Sequence, residues 1–148
     1  MNRHWGWLAA DAGDFREAGQ HFDRAHEPAL AAECRKLEKL PLRNPDLAGL
    51  FSSFVPGTGE LYAGNLKAGL SSLLVTAAMA AGIGYSISRR HYLDSALLFS
   101  IFFVRFYYGS RNNARDYAED YNRRVREQAA RSLKTRFAST NGSEGKRE

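Results

Sequence analysis

The stretch that decides the fold is Ala68–Ser88, AGLSSLLVTAAMAAGIGYSIS, 21 residues without a charge. A bilayer's hydrocarbon core takes a helix of about 20 apolar residues to cross, so the run has the length of a membrane span. The 148-residue chain as a whole is polar, with a mean hydropathy of −0.45. That average conceals polar ends flanking an apolar middle. The run is internal and too long for the core of a secretory leader, and the opening MNRHWGWLAADAGD has no apolar core either.

Small residues recur along the run at four-residue spacing: Ala68/Ser72, Ala78/Gly82, Ala80/Gly84 and Gly82/Ser86. In lipid such spacing lets helix backbones approach closely, which makes Ala78, Gly82 and Gly84 candidate packing positions. A polar turn, Ser88-Arg89-Arg90-His91, leads into a second, shorter apolar segment from about Tyr92 to Tyr108, dense in aromatics and carrying Arg105 near its end. A small-residue helix beside a bulky one predicts a two-span hairpin over residues 66–109.

Just upstream lies Phe54–Asn65, FVPGTGELYAGN. Its glycines suggest a phosphate loop, but that loop needs a preceding strand, a following soluble helix and a Lys-Ser/Thr pair. The sequence offers none of these. Pro56 ends a helix, and the glycines permit a turn with positive φ and close backbone packing. The turn resembles the P-G-x-G-x-x-Y-x-G signature of a group of small bacterial membrane proteins, matched by Pro56, Gly57, Gly59, Tyr62 and Gly64. The resemblance runs from about residue 45 to residue 122, through Tyr108-Gly109-Ser110, Ala114 and Tyr121-Asn122. Ser110 stands where that pattern usually has asparagine, which weakens any role for that position. The resemblance implies a two-transmembrane hairpin, in some members behind repeat-like helices, and implies no catalytic residue.

The first 40 residues read as short helices. Ala18, Phe22 and Ala25 recur at helical spacing, as do Leu30, Cys34 and Leu37 beyond Pro28. GDFREAGQHFDRA resembles the second half of a tetratricopeptide repeat. It has no clear second copy, and a solenoid needs about three repeats, so residues 1–40 are expected to form one repeat-like helical module awaiting a partner. An ordinary helical hairpin fits the same pattern. Residues 41–65 follow as a linker, PLRNP, then a helix over Leu47–Val55 that Asp46 is expected to cap and that is too short to span, then the glycine turn. Residues 110–137 read as a basic amphipathic helix with an apolar stripe of Ala114, Tyr117, Ala118, Tyr121, Val125, Leu133 and Phe137. Residues 138–148 are expected to be disordered.

Charge is uneven. Residues 1–67 carry 8 Lys/Arg against 9 Asp/Glu, and residues 105–148 carry 11 against 6, in a chain of net charge +5. The basic tail suits anionic headgroups. Nucleic acid is the weaker reading, because the tail's aromatics follow its apolar stripe instead of interleaving with its cations. An ionisable group at membrane depth is costly and calls for a function. The hairpin puts Glu60 and Arg105 on one side, predicting an ion pair; the alternative is that Arg105, about a turn from the span's end, snorkels to the interface. Tyr62, Tyr107 and Tyr108 are expected at that interface, with Tyr85 and Tyr92 at the other.

No metal site is expected: His21 lies four residues after Glu17, without a third ligand. Asp14, Glu17 and Asp23 read as a solvated face. No nucleophile–base pair can be argued, so neither a catalytic activity nor a cofactor is expected. The lone Cys34 excludes an intrachain disulfide. The expected protein is all-α, resident in the inner or plasma membrane, with both termini on one side, the cytoplasmic one by charge bias. Its expected role is that of an adaptor or assembly factor recruiting a protein through residues 1–40. The alternative is a homo-oligomeric pore or transporter subunit packed through Ala78, Gly82 and Gly84.

Overall fold

A computed structural model describes residues 1–90 and 92–144, with the side chains of 92, 94, 102–108 and 138–144 outside the description. Every regular element among the described residues is a helix: α1 (Asn2–Asp11), α2 (Phe15–Arg24), α3 (Pro28–Leu37), α4 (Pro45–Phe54), α5 (Thr58–Tyr62), α6 (Leu66–Ser88) and α7 (Tyr92–Glu144). The chain divides into two compact units, Met1–Leu42 with Asn122–Glu148, and Arg43–Tyr121.

The first unit is built as a water-soluble helical domain is built. Gly13 ends α1 with a φ of +78°, and the Asp14 carboxylate caps α2 by accepting the Glu17 N–H at 3.0 Å. Phe15, Ala18, Gly19 and Phe22 then share one face, all buried. Phe22 is fully enclosed, edge-on to Trp7 with ring centroids 5.2 Å apart. Pro28, at the first position of α3, starts that helix at no hydrogen-bonding cost, and it buries Leu30, Ala31 and Cys34. The remaining side of this core is closed by Ala129, Ala130 and Leu133 of α7, with Phe137 against them. Helices α1–α3 thus share one core with the chain's own last helix.

The second unit contains the remainder. Asn44, not Asp46, caps α4: its side chain accepts from the N–H groups of Asp46 at 2.9 Å and Leu47 at 3.3 Å. Pro45 occupies the first helical position, so the residue before it is the one whose side chain faces the free N–H groups. Asp46 instead pairs with Arg115 of α7. Asn65 caps α6 by accepting the Ala68 N–H at 3.1 Å. From there α6 runs 23 residues, roughly 34 Å at the usual rise per residue. It is the helix among the described residues that is long and apolar enough to cross a membrane, and none of its most apolar stretch is buried.

The second predicted span, 92–108, falls partly on side chains outside the description. So do the disordered tail predicted for 138–148 and the interface tyrosines 92, 107 and 108. The boundary expected at residues 109 and 110 is not a break, because α7 continues through Gly109. One glycine costs an interior helix only about 1 kcal/mol, which neighbouring turns absorb. The apolar stripe expected on residues 110–137 is spent inside protein: Ala114 and Ala118 in the second unit, Leu133 and Phe137 in the first.

Candidate functional site: a buried carboxylate in the glycine turn

The site begins where α4 stops. Pro56 follows an extended Val55 (φ −136°, ψ 109°), and Gly57 then turns the chain with a φ of +107°. That left-handed conformation is open to glycine and strained for other residues. The Thr58 hydroxyl donates back to the carbonyls of Phe51 and Val55, both at 2.8 Å. Both carbonyls also accept a backbone N–H, Phe51 from Val55 and Val55 from Thr58, each at 3.1 Å, so the hydroxyl adds a second tie between the end of α4 and the turn. The short α5 is folded down onto α4 so tightly that a Cβ on Gly59 would stand 2.0 Å from the Ala48 carbonyl oxygen and 2.7 Å from Ala114 Cβ. Gly59 is therefore a contact between three helices.

Beside that contact sits Glu60, 1% exposed. Burying a carboxylate is expensive unless its oxygens are hydrogen-bonded. Ser52 of α4 donates to Oε2 at 2.8 Å. Ser110 of α7 donates to Oε1 at 3.1 Å, and Ser72 of α6 to the same oxygen at 3.4 Å. The Gly59 N–H in turn donates to Ser52 Oγ at 3.0 Å. One carboxylate on α5 thus gathers a hydroxyl from each of α4, α6 and α7. A buried polar group left without its hydrogen bonds is costly, so this cluster fastens the four helices at a single point. Chemically it is a set of hydroxyl donors converging on one carboxyl group, with no imidazole or amine positioned to activate a serine among the described residues.

The motif's remaining residues serve the same joint. Tyr62, expected to stand at headgroup level, is half-buried with its ring engaged: the Arg43 guanidinium lies 5.2 Å from its centroid and Phe51 meets it edge-on at 5.3 Å. Its hydroxyl accepts the Asn44 N–H at 3.3 Å. Arg43 also covers the Tyr121 ring at 5.3 Å. Gly64, with φ +86°, ends the turn beside Tyr121.

The structure therefore unites Gly57, Gly59, Glu60, Tyr62 and Gly64 around one joint. The expected partner of Glu60, the Arg105 side chain, lies outside the described residues. Ala78, Gly82 and Gly84 are not used here: a Cβ added at Gly82 or Gly84 meets nothing within 4 Å, and all three residues are exposed. Ser52, Ser72 and Ser110 were the residues that sequence reasoning missed as partners of Glu60. Each sits four residues from a small residue on its own helix (Ala48, Ala68 and Ala114), and that shared spacing was the available signal.

In the first unit, His21 Nε2 lies 3.6 Å from Glu17, and no group of three His, Cys, Asp or Glu gathers as a metal site among the described residues. Asp14 and Asp23, read as a solvated face, have definite partners: Asp14 caps α2, and Asp23 pairs with Arg35 at 2.5 Å. The Lys36 hydrogen bond, aided by Arg136, holds the Glu33 carboxyl below its ordinary range. Burial, with Glu33 and Glu38 adding to it, pushes the Cys34 thiol up to about 11.

No protein-family model matches this chain, and no curated protein or solved structure matches it either.

Proposed function

We propose that this chain is a non-catalytic integral membrane protein, anchored by a two-span hairpin over 66–109, that acts as an adaptor or assembly factor. The observation that carries the reading is the exposure of α6. An apolar helix of this length is either the core of a soluble domain or a membrane span, and its most apolar stretch has no protein covering it. The second span would be the part of α7 over 92–108, where Leu93, Leu97 and Ile101 are each more than 60% exposed. Contiguous apolar surface of this kind belongs against lipid or another protein. The cations at Arg43, Lys67, Arg111 and Arg115 favour a cytoplasmic location for both termini.

The recruiting surface would be on residues 1–40. Its inner face is occupied by α7, so the outward face of α1, where Trp5 and Leu8 are about half exposed, is the part left for a partner. A photo-crosslinker at Trp5 of the full chain, in native membranes, should capture one distinct protein, and Leu8→Asp should abolish the adduct. Adducts only to a second copy of this chain would sink the adaptor reading.

A second reading, an oligomeric pore or transporter subunit, is favoured by the open backbone at Gly82 and Gly84. It predicts ion flux in liposomes that Gly82→Leu stops.

A further inference from the structure

Between α4 and α7 of the second unit lies a groove of about 430 Å³, lined by Asp46, Leu47, Leu50, Ser53, Phe54, Arg111 and Arg115. Its two sides differ in chemistry. Leu47, Leu50 and Phe54 stand at i, i+3 and i+7 on α4, one apolar stripe, and are 41%, 49% and 77% exposed. Arg111 and Arg115 stand one turn apart on α7. Arg115 shares its charge with Asp46, whereas Arg111 is exposed and has no ion-pair partner among the described residues. The groove therefore presents two cations and one anion next to an apolar wall.

We infer that this groove is a binding site for a single anionic phospholipid, its phosphodiester against Arg111 and Arg115 and its acyl chain along Leu47, Leu50 and Phe54. Three features select that occupant. A partner helix would cover the stripe but would answer Arg111 only if it carried a carboxylate at that one point. A free anion would answer Arg111 but leave the stripe wet. A lipid with a net negative headgroup does both, and the groove belongs to the unit that carries α6, where such lipids would be at hand. Arginine's planar fork suits a phosphate oxygen pair, and pairing with Asp46 holds Arg115 at the groove. Asp46 also repels a second phosphate, which sets the site at one lipid. This inference rests on the membrane reading of α6.

The test is native mass spectrometry of the full chain in a mild detergent, offered phosphatidylglycerol or phosphatidylcholine with the same acyl chains. One phosphatidylglycerol should be retained in preference to phosphatidylcholine by about fivefold, the worth of one cation beside an anionic lipid. Arg111→Ala should remove that preference, and Leu50→Ser should weaken retention of both lipids. Arg89→Ala, at the far end of α6, should change nothing. Circular dichroism establishes that each variant is folded; Arg111 and Leu50 are exposed enough for substitution to spare the fold. Equal retention of the two lipids, or an undiminished preference in Arg111→Ala, would overturn the site. So would displacement of the lipid by millimolar inorganic phosphate, which would mark a plain anion site. A chain that stays soluble and monodisperse without detergent would instead defeat the membrane reading itself, and that outcome is separate from a membrane-integral chain showing no lipid preference.

Discussion

The two units of this molecule are packed by opposite rules. In the first, large apolar side chains are inside: Phe22, Leu30 and Leu133 are each no more than 1% exposed. In the second, the buried residues are small or polar, Ala48, Ala63, Ala114 and Ala118 beside Ser52, Glu60 and Ser110, while Leu66, Leu74 and Leu97 lie outside, each more than 60% exposed. Water drives large side chains together and explains the first arrangement. It does not explain the second, where the same leucines would be driven inward. In lipid, helices gain nothing by hiding leucine, so close backbone contact and buried hydrogen bonds hold them instead. On the membrane reading proposed above, the two units differ in the solvent that selected their interiors.

The comparison predicts opposite sensitivities. Removing volume should damage the first unit most: Phe22→Ala should cost about 3–5 kcal/mol, read as lost hydrogen-exchange protection across α1–α3. Adding volume should damage the second. Gly59→Ala brings a methyl to 2.0 Å from the Ala48 carbonyl and should cost about 1–3 kcal/mol or more, with loss of protection centred on α4, α5 and the part of α7 around Ala114. If Gly59→Ala melts like wild type, the close-packed joint is wrong.

Next in size is Glu60→Ala, which strands the hydroxyls of Ser52, Ser72 and Ser110. It should cost about 1–3 kcal/mol in a detergent melt, and Ser110→Ala should cost less, since two donors remain. An unchanged melt for Glu60→Ala would remove the cluster from the account.

A smaller effect concerns Cys34. Its thiol is raised in the folded state from about 9 to about 11 by burial first. The neutral form is thus favoured by folding, and the stabilisation holds below the unfolded value and is lost as pH rises between the two. The first unit should weaken over that window, and a Cys34→Ala variant should lose the dependence. At the bottom of the scale, Gly82→Ala should stabilise the monomer by no more than about 1 kcal/mol through helix propensity alone, because an added Cβ meets nothing there.

Much of this was legible in the sequence, unevenly. The apolar length of 66–88 and the helical spacing of Ala18, Phe22, Leu30 and Cys34 are local patterns, and α6, α2 and α3 form where those patterns lie. The glycine turn was legible as a bend, because Pro56 and Gly57 act on their own backbone. The purpose of Gly59 was not, since its neighbours Ala48 and Ala114 come from elsewhere in the chain. Likewise Glu60 and Ser110 are 50 positions apart, and the small-residue spacing around Ser110 marks a packed position without naming Glu60 as its partner. The cap of α4 was misassigned to Asp46 although Asn44 before Pro45 is the stronger start signal. The stripe of α7 was recognised as apolar, but what it packs against is a property of the fold.

The central claim is that the second unit is packed for lipid. The most direct measurement is extraction of native membranes holding the full chain with alkaline carbonate and high salt. The account predicts that the chain stays in the pellet and enters solution only with detergent. Release into the supernatant without detergent would contradict it.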